Sequence, residues 1–428
     1  MHVGVVGCGT AGPAAAIFLA RAGHRVTILE RATTLHPVGA GILIQPTGML
    51  VLSRLGVLER LLALGDRVER LHGVNAGGRT VLDLRYRDLR DDLFGLGLHR
   101  GVLLGALLHA MQAEDIDIHC GVHAIAIESI GSRPLVRDAR KALHGPFDLL
   151  IVADGARSML RPASLHARVR TYPYGALWFV AQDAASNFAG TLSQVYRGTA
   201  CMVGFLPTGR LERDGPRAVS MFWSQRMGDL EAVQERGLER WKSDVRAVAP
   251  HAEAILDQIE QPRDLIPAVY HDVVLRRPFD VLHGPVVYLG DSAHAMSPQL
   301  GQGANLALVD AMTLADCVDG FSNVREALHE YAGRRRRNVR YYQFASRWLT
   351  PVFQSGSEFL GPLRDRLMGP MCGWGWSRRQ MLDALAGVKT GLMPWSRAAA
   401  PIMKPVPSAP APNGQAPPGP SSASSELA

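Results

Sequence analysis

The first thirty residues constrain the fold of this chain more than any other stretch. Residues 3–6 form a short apolar run that is long enough for one buried strand. Residues 7–12 follow directly and read Gly-Cys-Gly-Thr-Ala-Gly, and an alanine-rich segment then runs to Arg21. A second apolar run, residues 25–29, ends in Glu30. The order of strand, glycine turn, helix, strand and acid predicts a β-α-β unit at the start of a parallel sheet.

Each glycine of this turn has its own physical reason. Gly7 permits the tight turn off the strand, and Gly12 lets the helix pack closely on the sheet. Gly9 lets the backbone approach a pyrophosphate where any Cβ would intrude. The helix N-terminus offers N–H groups to the phosphates, and Glu30 is placed to accept hydrogen bonds from a ribose. The unit therefore predicts a dinucleotide site without identifying the dinucleotide.

Size and composition indicate a globular enzyme. A chain of 428 residues can bury a large core and form two joined domains, and 47% hydrophobic with 20% charged residues is ordinary for that class. No apolar run approaches the roughly 20 residues of a membrane span, and the first strand occupies the N-terminus. We therefore expect no signal peptide and a cytoplasmic protein. The cysteines are scattered and predict free, buried thiols and no metal site: Cys8, Cys120, Cys201, Cys317 and Cys372.

The net charge of +7 is spread along the chain except at the run Arg334-Arg335-Arg336-Arg337. Such a run is more often a solvated helix face than a binding site. We expect no nucleic-acid partner, and at most a weak membrane-surface contact through Arg334–Arg337. We expect a monomer or a homodimer.

Two further stretches indicate which dinucleotide binds. Residues 148–155 are an apolar run that ends in Asp154 and Gly155, and residues 286–305 are again a strand, an acid (Asp291), a glycine turn and a helix that begins near Gln302. A carboxylate at a strand end can accept a hydrogen bond from a polyol hydroxyl. The N–H groups and positive dipole of residues 301–305 suit an electron-rich group. A flavin fits both, since its ribityl chain carries hydroxyls and its N1–C2 edge gains negative charge on reduction.

Together the three stretches resemble the FAD-dependent aromatic-ring hydroxylases, the para-hydroxybenzoate hydroxylase-like (group A) flavoprotein monooxygenases. Residues 7–12 and 28–31 are similar to the ADP-binding motif of that family, residues 153–161 to its DG motif, and residues 290–308 to its GD motif. Arg100 matches the family arginine near the flavin ribityl and phosphate. The order of the motifs fits the family over residues 1–316, and the C-terminal region resembles the branch that includes ubiquinone-biosynthesis hydroxylases.

The resemblance implies an α/β fold: a Rossmann-like FAD-binding domain of the GR2 type with an inserted mixed or antiparallel β-sheet substrate domain and a helical C-terminal region. It implies FAD as cofactor, NADH or NADPH as co-substrate, and dioxygen with a small aromatic molecule as substrates. In this family, dioxygen adds at C4a of the reduced flavin, and the resulting hydroperoxide hydroxylates an electron-rich phenolic or heteroaromatic ring.

The site residues follow from the same motifs. Those expected to bind the cofactor are Gly7, Gly9, Ala11, Gly12, Glu30, Arg31, Gly41, Arg100, Asp154, Asp291, Pro298, Gly301, Gly303, Ala304 and Asn305. Pro298 is also expected to flank the ring where oxygen reacts, and no other catalytic residue is assigned. Gln45 and His72 are candidates for substrate contact. His294 is expected to be a buried, hydrogen-bonded histidine, while Arg157, Ser158 and Arg161 are expected to hold the DG turn.

The pattern of elements divides the chain into discontinuous parts. We predict FAD-binding segments at residues 1–70, 98–167 and 281–320, and substrate-domain segments at residues 71–97 (a hairpin) and 168–280 (an antiparallel sheet). A helical region follows at residues 321–397. Residues 398–428 are rich in Pro, Ala and Ser and are predicted to be disordered.

Three other functions are compatible with parts of the sequence. A flavin-dependent halogenase, or another FAD oxidoreductase of the same fold, is the main alternative; residues 374–376 read Trp-Gly-Trp but lack the Ile-Pro of the halogenase motif and lie far later in the chain. An NAD-only dehydrogenase would not need residues 290–305. A non-catalytic flavin-dependent regulator or membrane-surface adaptor would use the arginine run. The substrate-deprotonating group stays unassigned, because Phe205 and Leu206 precede Pro207 where some relatives place a tyrosine.

Overall fold

The computed structural model describes residues 1–35, 39–228, 237–393 and Ser396. The predicted disorder of residues 398–428 concerns residues outside these ranges. The described residues form three sheets and eleven α-helices.

A six-stranded sheet carries the β-α-β unit at its centre. Its strands are β1 (His2–Val6), β2 (Arg25–Glu30), β7 (Ile116–Cys120), β11 (Leu149–Val152), β17 (Phe279–Asp280) and β18 (Val286–Tyr288). They lie in the order β17-β18-β11-β1-β2-β7, and all pairs are parallel except β17 with β18. The carboxyl ends of β1, β2, β11 and β18 therefore meet at one edge, which is where ligands bind in sheets of this kind. The predicted strands at 149–152 and 286–288 are confirmed.

A nine-stranded mixed sheet stands beside the first. Its strands are β3 (Gly41–Ile44), β4 (Asp66–Asn75), β5 (Thr80–Arg85), β6 (Gly95–His99), β12 (Arg168–Gln182), β13 (Gly190–Arg197), β14 (Cys201–Arg210), β15 (Arg217–Arg226) and β16 (Ile266–Val274). Neighbouring strands are antiparallel except β13 with β4. The hairpin predicted near Gly77 is confirmed as β4 and β5. The sheet also takes in β3, which pairs with β6, although residues 41–44 fall in the predicted FAD-binding segment 1–70.

A small antiparallel sheet consists of β8 (Ala124–Ile130), β9 (Arg133–Asp138) and β10 (Leu143–His144). The sequence signal at residues 122–128 predicts only the first of these strands. Strand β9 carries charged residues at both ends and β10 has only two residues, so neither has the apolar run that indicates a buried strand. The division of the chain into domains at residues 71, 98, 168, 281 and 321 stays a proposal.

The helices cover both sheets. They are α1 (Ala11–Arg21), α2 (Pro46–Arg54), α3 (Leu58–Leu64), α4 (Arg100–Met111), α5 (Leu238–Val248), α6 (Glu253–Leu256), α7 (Asp291–His294), α8 (Gly303–Gly320), α9 (Val324–Phe353), α10 (Leu360–Gly373) and α11 (Gly375–Leu385). The main core lies between the six-stranded sheet and α1, α4, α8 and α9. Helices α5 and α6 cover one face of the large sheet, and the end of α9 covers the other. Within the described ranges, no helix is both long and apolar enough to cross a membrane.

The five cysteines are free, as expected, but they are not all buried. Cys120 is exposed at the end of β7, which is the edge strand of the six-stranded sheet. An edge strand is covered less completely than a central one, and four of the five residues of β7 are exposed.

Candidate functional site

In the glycine turn after β1, two glycines pack against the protein backbone and the third faces open space. Gly7 has a φ of 100°, and a Cβ there would lie 2.6 Å from the carbonyl oxygen of Ala153. A Cβ on Gly12 would overlap the carbonyl oxygen of Gly7. By contrast, a Cβ on Gly9 would have no heavy atom of the described residues within 4 Å, apart from its chain neighbours. Close contacts with the protein's own backbone therefore require glycine at positions 7 and 12, whereas Gly9 leaves room for a ligand.

Glu30 connects this turn to the second strand. Its carboxylate accepts a hydrogen bond from the N–H of Cys8 (2.6 Å) and another from the N–H of Ala32 (2.8 Å). The side chain is thereby held at the carboxyl end of β2, beside the glycine turn. Each carboxylate oxygen has a further lone pair, so the predicted bonds to a ribose stay available.

The DG and GD segments are joined by Arg161. Its guanidinium donates to the carbonyl oxygens of Gly155, Ala156 and Ser158, and its Nε donates to Ser292 across the sheet (2.7 Å). One arginine thus fixes the turn after β11 against the turn after β18. The predicted holding role of Arg161 is confirmed, whereas Arg157 is exposed and has no such bonds in the described structure.

Asp154 is the charged residue inside this turn. Burial raises the pKa of its carboxyl to about 6, although a hydrogen bond from Ser158 and the charge of Arg161 act in the opposite direction. Its Oδ1 is buried and has no hydrogen-bond partner among the described residues. A carboxyl with an unsatisfied buried oxygen and a raised pKa is typical of a functional site.

Asp291 and the start of α8 face each other. Asp291 is exposed, and its Oδ1 lies 3.8 Å from where a Cβ on Gly303 would be. Helix α8 has no acidic residue in its first turn and no side-chain bond from its N-cap, Gln302. The N–H groups at residues 303–305 and the helix dipole therefore stay available for a ligand beside the carboxylate.

A buried ionic network supports the GD turn from behind. Asp310 on α8 is fully buried, and its carboxylate accepts bonds from the N–H of Gly290 (2.9 Å), from His294 Nε2 and from Arg335 Nε (2.7 Å). Burial alone would raise the pKa of Asp310, but its interactions with His294 and with the Arg335 guanidinium hold it well below its usual range. His294 is therefore a buried, hydrogen-bonded histidine, as the sequence analysis predicted.

The same network includes one member of the arginine run. Arg335 points into the core and pairs with Asp310, whereas Arg334, Arg336 and Arg337 are exposed. Arg334 pairs with Glu330 on its own helix at 2.7 Å. Helix periodicity turns consecutive residues in different directions, so the run is largely a solvated helix face with one buried member, and the weak membrane contact expected of it stays a prediction.

Gln45 and Asn305 join the two halves of the site. Asn305 accepts the N–H of Gln45 (2.8 Å) and donates to the carbonyl oxygens of Leu43 and Gly301, so its side chain is fully engaged. Only its backbone N–H could contact a cofactor. Gln45 is completely buried, and its Oε1 accepts the hydroxyl of Tyr86 at 2.6 Å. Its Nε2 has no partner among the described residues and lies 3.9 Å from where a Cβ on Gly301 would be.

Thr208 and Ser220 complete this region and were not anticipated from the sequence. A Cβ on Gly41 would lie 2.6 Å from Thr208 Cγ2 and 2.7 Å from Ser220 Oγ, so Gly41 packs directly on β14 and β15. Both hydroxyls are buried and have no partner within the described structure. The sequence signal that could have identified them is that both are polar residues in otherwise apolar strands. The sequence does not give the strand register, which decides which polar residues face β3.

Arg100 stands beside the connection before β3. Its N–H donates to Ala40 (3.0 Å), and the preceding residue, His99, donates from Nε2 to the carbonyl oxygen of Gly39 (2.7 Å). His99 Nδ1 accepts the N–H of Gly101, which requires a neutral ring, and burial lowers the pKa of His99. The guanidinium of Arg100 and that of Arg31 are exposed.

Pro298 and His72 were also predicted to contact a ligand. Pro298 is exposed, and the residue before it, Ser297, is hydrogen-bonded to Ser346 and Thr350 on α9. His72 lies on β4, and its charged neighbours are Arg70, Asp83 and Arg85. The substrate contact of His72 stays a prediction.

These residues fit FAD. The space at Gly9, the unpartnered oxygen of Asp154, the exposed Asp291 and the uncapped start of α8 follow one another around the edge of the six-stranded sheet. This order of donors and acceptors suits phosphates, then a polyol chain, then an electron-rich ring. Among the described residues, no group of three or more His, Cys, Asp or Glu could hold a metal ion.

Comparison with known proteins agrees with this geometry. Residues 1–341 match the family described as "FAD binding domain". The chain is 28% identical over 344 residues to 3-amino-4-hydroxybenzoate 2-monooxygenase of Streptomyces cremeus, covering 78% of this chain and 83% of the relative. It is 26% identical over 371 residues to aurachin C monooxygenase/isomerase of Stigmatella aurantiaca, covering 86% and 93%. The solved tetrameric form of 2-methyl-3-hydroxypyridine-5-carboxylic acid oxygenase has the same fold, with a TM-score of 0.69, 22% identity and coverage of 86% and 96%.

The fold and the site therefore define an FAD-dependent monooxygenase of the aromatic-hydroxylase class. The chain belongs to the family of proteins with this FAD binding domain, since the match spans residues 1–341 of 428.

Proposed function

We propose that this enzyme hydroxylates a small, electron-rich phenolic or heteroaromatic ring and uses NADH or NADPH as reductant. The observation that carries the proposal is a set of buried polar atoms at the two ends of β3 that have no partner among the described residues: Gln45 Nε2 after the strand, and Thr208 Oγ1 and Ser220 Oγ beside its first residue, Gly41. Buried polar atoms without partners are costly, so they indicate a place that a ligand completes. Gln45 Nε2 lies beside Gly301, in the turn before α8, and Thr208 and Ser220 lie beside Gly41.

The chain's own residues would hold the cofactor in two groups. Gly7, Gly9 and Ala11 at the glycine turn, with Glu30, Arg31 and Arg100, would bind the ADP half. Asp154, Asp291 and the N–H groups of Gly303 and Ala304 would bind the ribityl chain and the ring. When bound, FAD supplies the redox chemistry, since it accepts a hydride and activates dioxygen. The protein supplies orientation, a dry pocket and positive potential from α8.

Gln45 is proposed to donate its free N–H to the flavin ring, because Nε2 lies beside Gly301. Its partner Tyr86 is completely buried, and burial raises the pKa of its hydroxyl above the ordinary value. Neither side chain can therefore act as a base near neutral pH. The pair would position the flavin ring, and it would not deprotonate a phenolic substrate.

The names of the relatives support the substrate class. The proteins matched above are named for an aminohydroxybenzoate, for aurachin C and for a hydroxypyridine carboxylic acid, and the first and last of these names describe hydroxylated aromatic rings. We extend that class to this chain as a proposal.

The test is a screen of small phenols and hydroxylated heteroaromatics for faster NADH or NADPH oxidation, with ¹⁸O₂ and product mass spectrometry. The true substrate should gain one oxygen atom that comes from O₂. A product that carries chlorine or bromine would assign the enzyme to the halogenases. Purified protein that binds NAD but never FAD would contradict the whole proposal.

A further inference from the structure

The outer face of α10 carries an apolar stripe. Leu363, Leu367 and Met371 follow one another at spacings of four, which places them on one side of the helix. Phe359 precedes the first residue of α10 and Trp374 follows its last residue, so they flank the stripe at its two ends. In chain order, these five side chains are exposed by 73%, 39%, 52%, 42% and 63%. Single exposed apolar residues are normal, but an aligned set of this length indicates an interaction surface.

The opposite face of α10 fixes the helix in this orientation. Arg364 is buried, and its guanidinium lies 4.6 Å from the ring centroid of Tyr196. Asp365 accepts a hydrogen bond from Asn75 at 2.8 Å. A Cβ on Gly369 would lie 2.7 Å from the carbonyl oxygen of Thr80, so helix and strand are in close contact. The helix therefore cannot rotate to bury its stripe.

Tryptophan concentrates at one end of the stripe. The rings of Trp374 and Trp376 lie 5.3 Å apart, and Trp376 is 53% exposed. Tryptophan combines a large apolar ring with one N–H donor, and it is enriched where a protein meets the boundary between hydrocarbon and water.

The charges around the stripe distinguish between possible occupants. Arg366 and Arg379 are exposed, Arg378 is paired with Asp88, and Glu358 is the exposed acid near the start of the helix. The whole chain carries a net charge of +7. A second copy of the chain would bring arginines of the same stripe together, whereas an anionic surface would attract them.

We propose that this face of α10, hereafter the α10 stripe, lies flat on an anionic lipid surface. Its apolar side chains would enter the headgroup boundary, while Arg366 and Arg379 would contact the anionic headgroups. The contact is peripheral, since none of the described helices can span a bilayer. We assign the main membrane contact to this stripe and not to the run Arg334–Arg337, because that run lacks apolar side chains and its Arg335 is buried against Asp310.

The test is flotation of the full-length holoenzyme with vesicles of phosphatidylcholine alone, or with about one part in four of phosphatidylglycerol. We expect binding to the anionic vesicles, with a blue shift of tryptophan emission. The double variant Leu363→Asp, Leu367→Asp should bind at least about tenfold more weakly, because two apolar anchors become charged. Leu282→Asp is the matched control: Leu282 is 71% exposed in a different part of the chain, and this variant should bind like the wild type.

Three results would overturn the proposal. The first is equal binding of wild type and double variant, or no binding to anionic vesicles. The second is a concentration-dependent dimer in light scattering that the double variant abolishes, since a second copy would then cover the stripe. The third is vesicle binding that appears only after deletion of residues 397–428, which would assign the stripe to that segment. Unchanged flavin content and melting temperature of the double variant show that it is folded.

Discussion

Gly9 and Gly12 belong to one turn but have different neighbours, and substitution should separate their roles. Gly12→Ala forces a Cβ against the carbonyl oxygen of Gly7 and should destabilise the protein by about 1–3 kcal/mol or more. In Gly9→Ala the new Cβ has no heavy atom of the described residues within 4 Å apart from its chain neighbours, so the free energy of unfolding without FAD should change by less than about 1 kcal/mol. Its FAD affinity should nevertheless fall at least about tenfold. Urea denaturation of the apoprotein and FAD titration measure the two effects.

The two variants should differ in which property they lose: Gly9→Ala should lose FAD affinity, and Gly12→Ala should lose stability. If Gly9→Ala bound FAD as tightly as the wild type, the open side of the turn would not be the pyrophosphate site. If Gly12→Ala were as stable as the wild type, the turn would be able to relax, and its close packing would not require glycine.

Gln45 offers a second test at this scale. Gln45→Leu removes the free N–H and should weaken FAD binding by about 1–3 kcal/mol, measured without any aromatic substrate. Tyr86→Phe removes only the hydroxyl that Gln45 Oε1 accepts, so it is the matched control and should cost clearly less. A loss that appears only in substrate KM would assign Gln45 to the substrate and not to the flavin.

Asp154 predicts a pH dependence of the apoprotein. Its pKa is raised from 3.8 to about 6 by burial, so the folded state holds the proton more tightly than the unfolded state. The free energy of unfolding should therefore fall as the pH rises from about 4 to about 6, by roughly 2–3 kcal/mol from this group. Asp154→Asn should lack this component, and the two stability curves should diverge with increasing pH. Parallel curves from pH 4 to pH 7.5 would contradict the assignment.

Helices α8 and α9 are connected by a buried ion pair between Asp310 and Arg335. Arg335→Met would leave Asp310 buried without its arginine, and removing one partner of a buried pair costs about 3–5 kcal/mol. Arg336→Met is the matched control, since the neighbouring arginine is exposed and should change stability by less than about 0.5 kcal/mol. Thermal denaturation measures both. Similar melting temperatures for the two variants would show that the network contributes little.

At the scale of the whole molecule, α9 connects the two large sheets. Arg335 pairs with Asp310 behind the six-stranded sheet, while Arg347 pairs with Asp272 and Gln343 donates to Val273 on β16 of the other sheet. We therefore expect release of FAD and loss of secondary structure to share one denaturation midpoint. Free FAD at about a hundred times its Kd should stabilise the fold by about 2.7 kcal/mol. Flavin fluorescence and far-ultraviolet circular dichroism test this, and flavin release that is complete before unfolding would contradict it.

Most elements could be predicted from the sequence because their signals are local. The β-α-β unit, the buried strands before Asp154 and Asp291, and α8 each combine an apolar run of the right period with a glycine turn. Strands β9 and β10 escaped prediction because they lack such a run. Four adjacent arginines look alike in a sequence, but a helix turns Arg335 inwards and Arg336 outwards, so only the structure shows that one of the four is buried.

The candidate site divides in the same way. The glycine turn, the acids at the strand ends and the resemblance to flavin monooxygenases could be predicted from the sequence, because each depends on residues close together in the chain. Three contacts became visible only in the folded chain: Arg161 joins the DG and GD turns, the Asn305 side chain positions Gln45, and Thr208 and Ser220 adjoin Gly41. These contacts span up to 260 residues, and they depend on strand register and helix rotation, which a pattern of residue types leaves open.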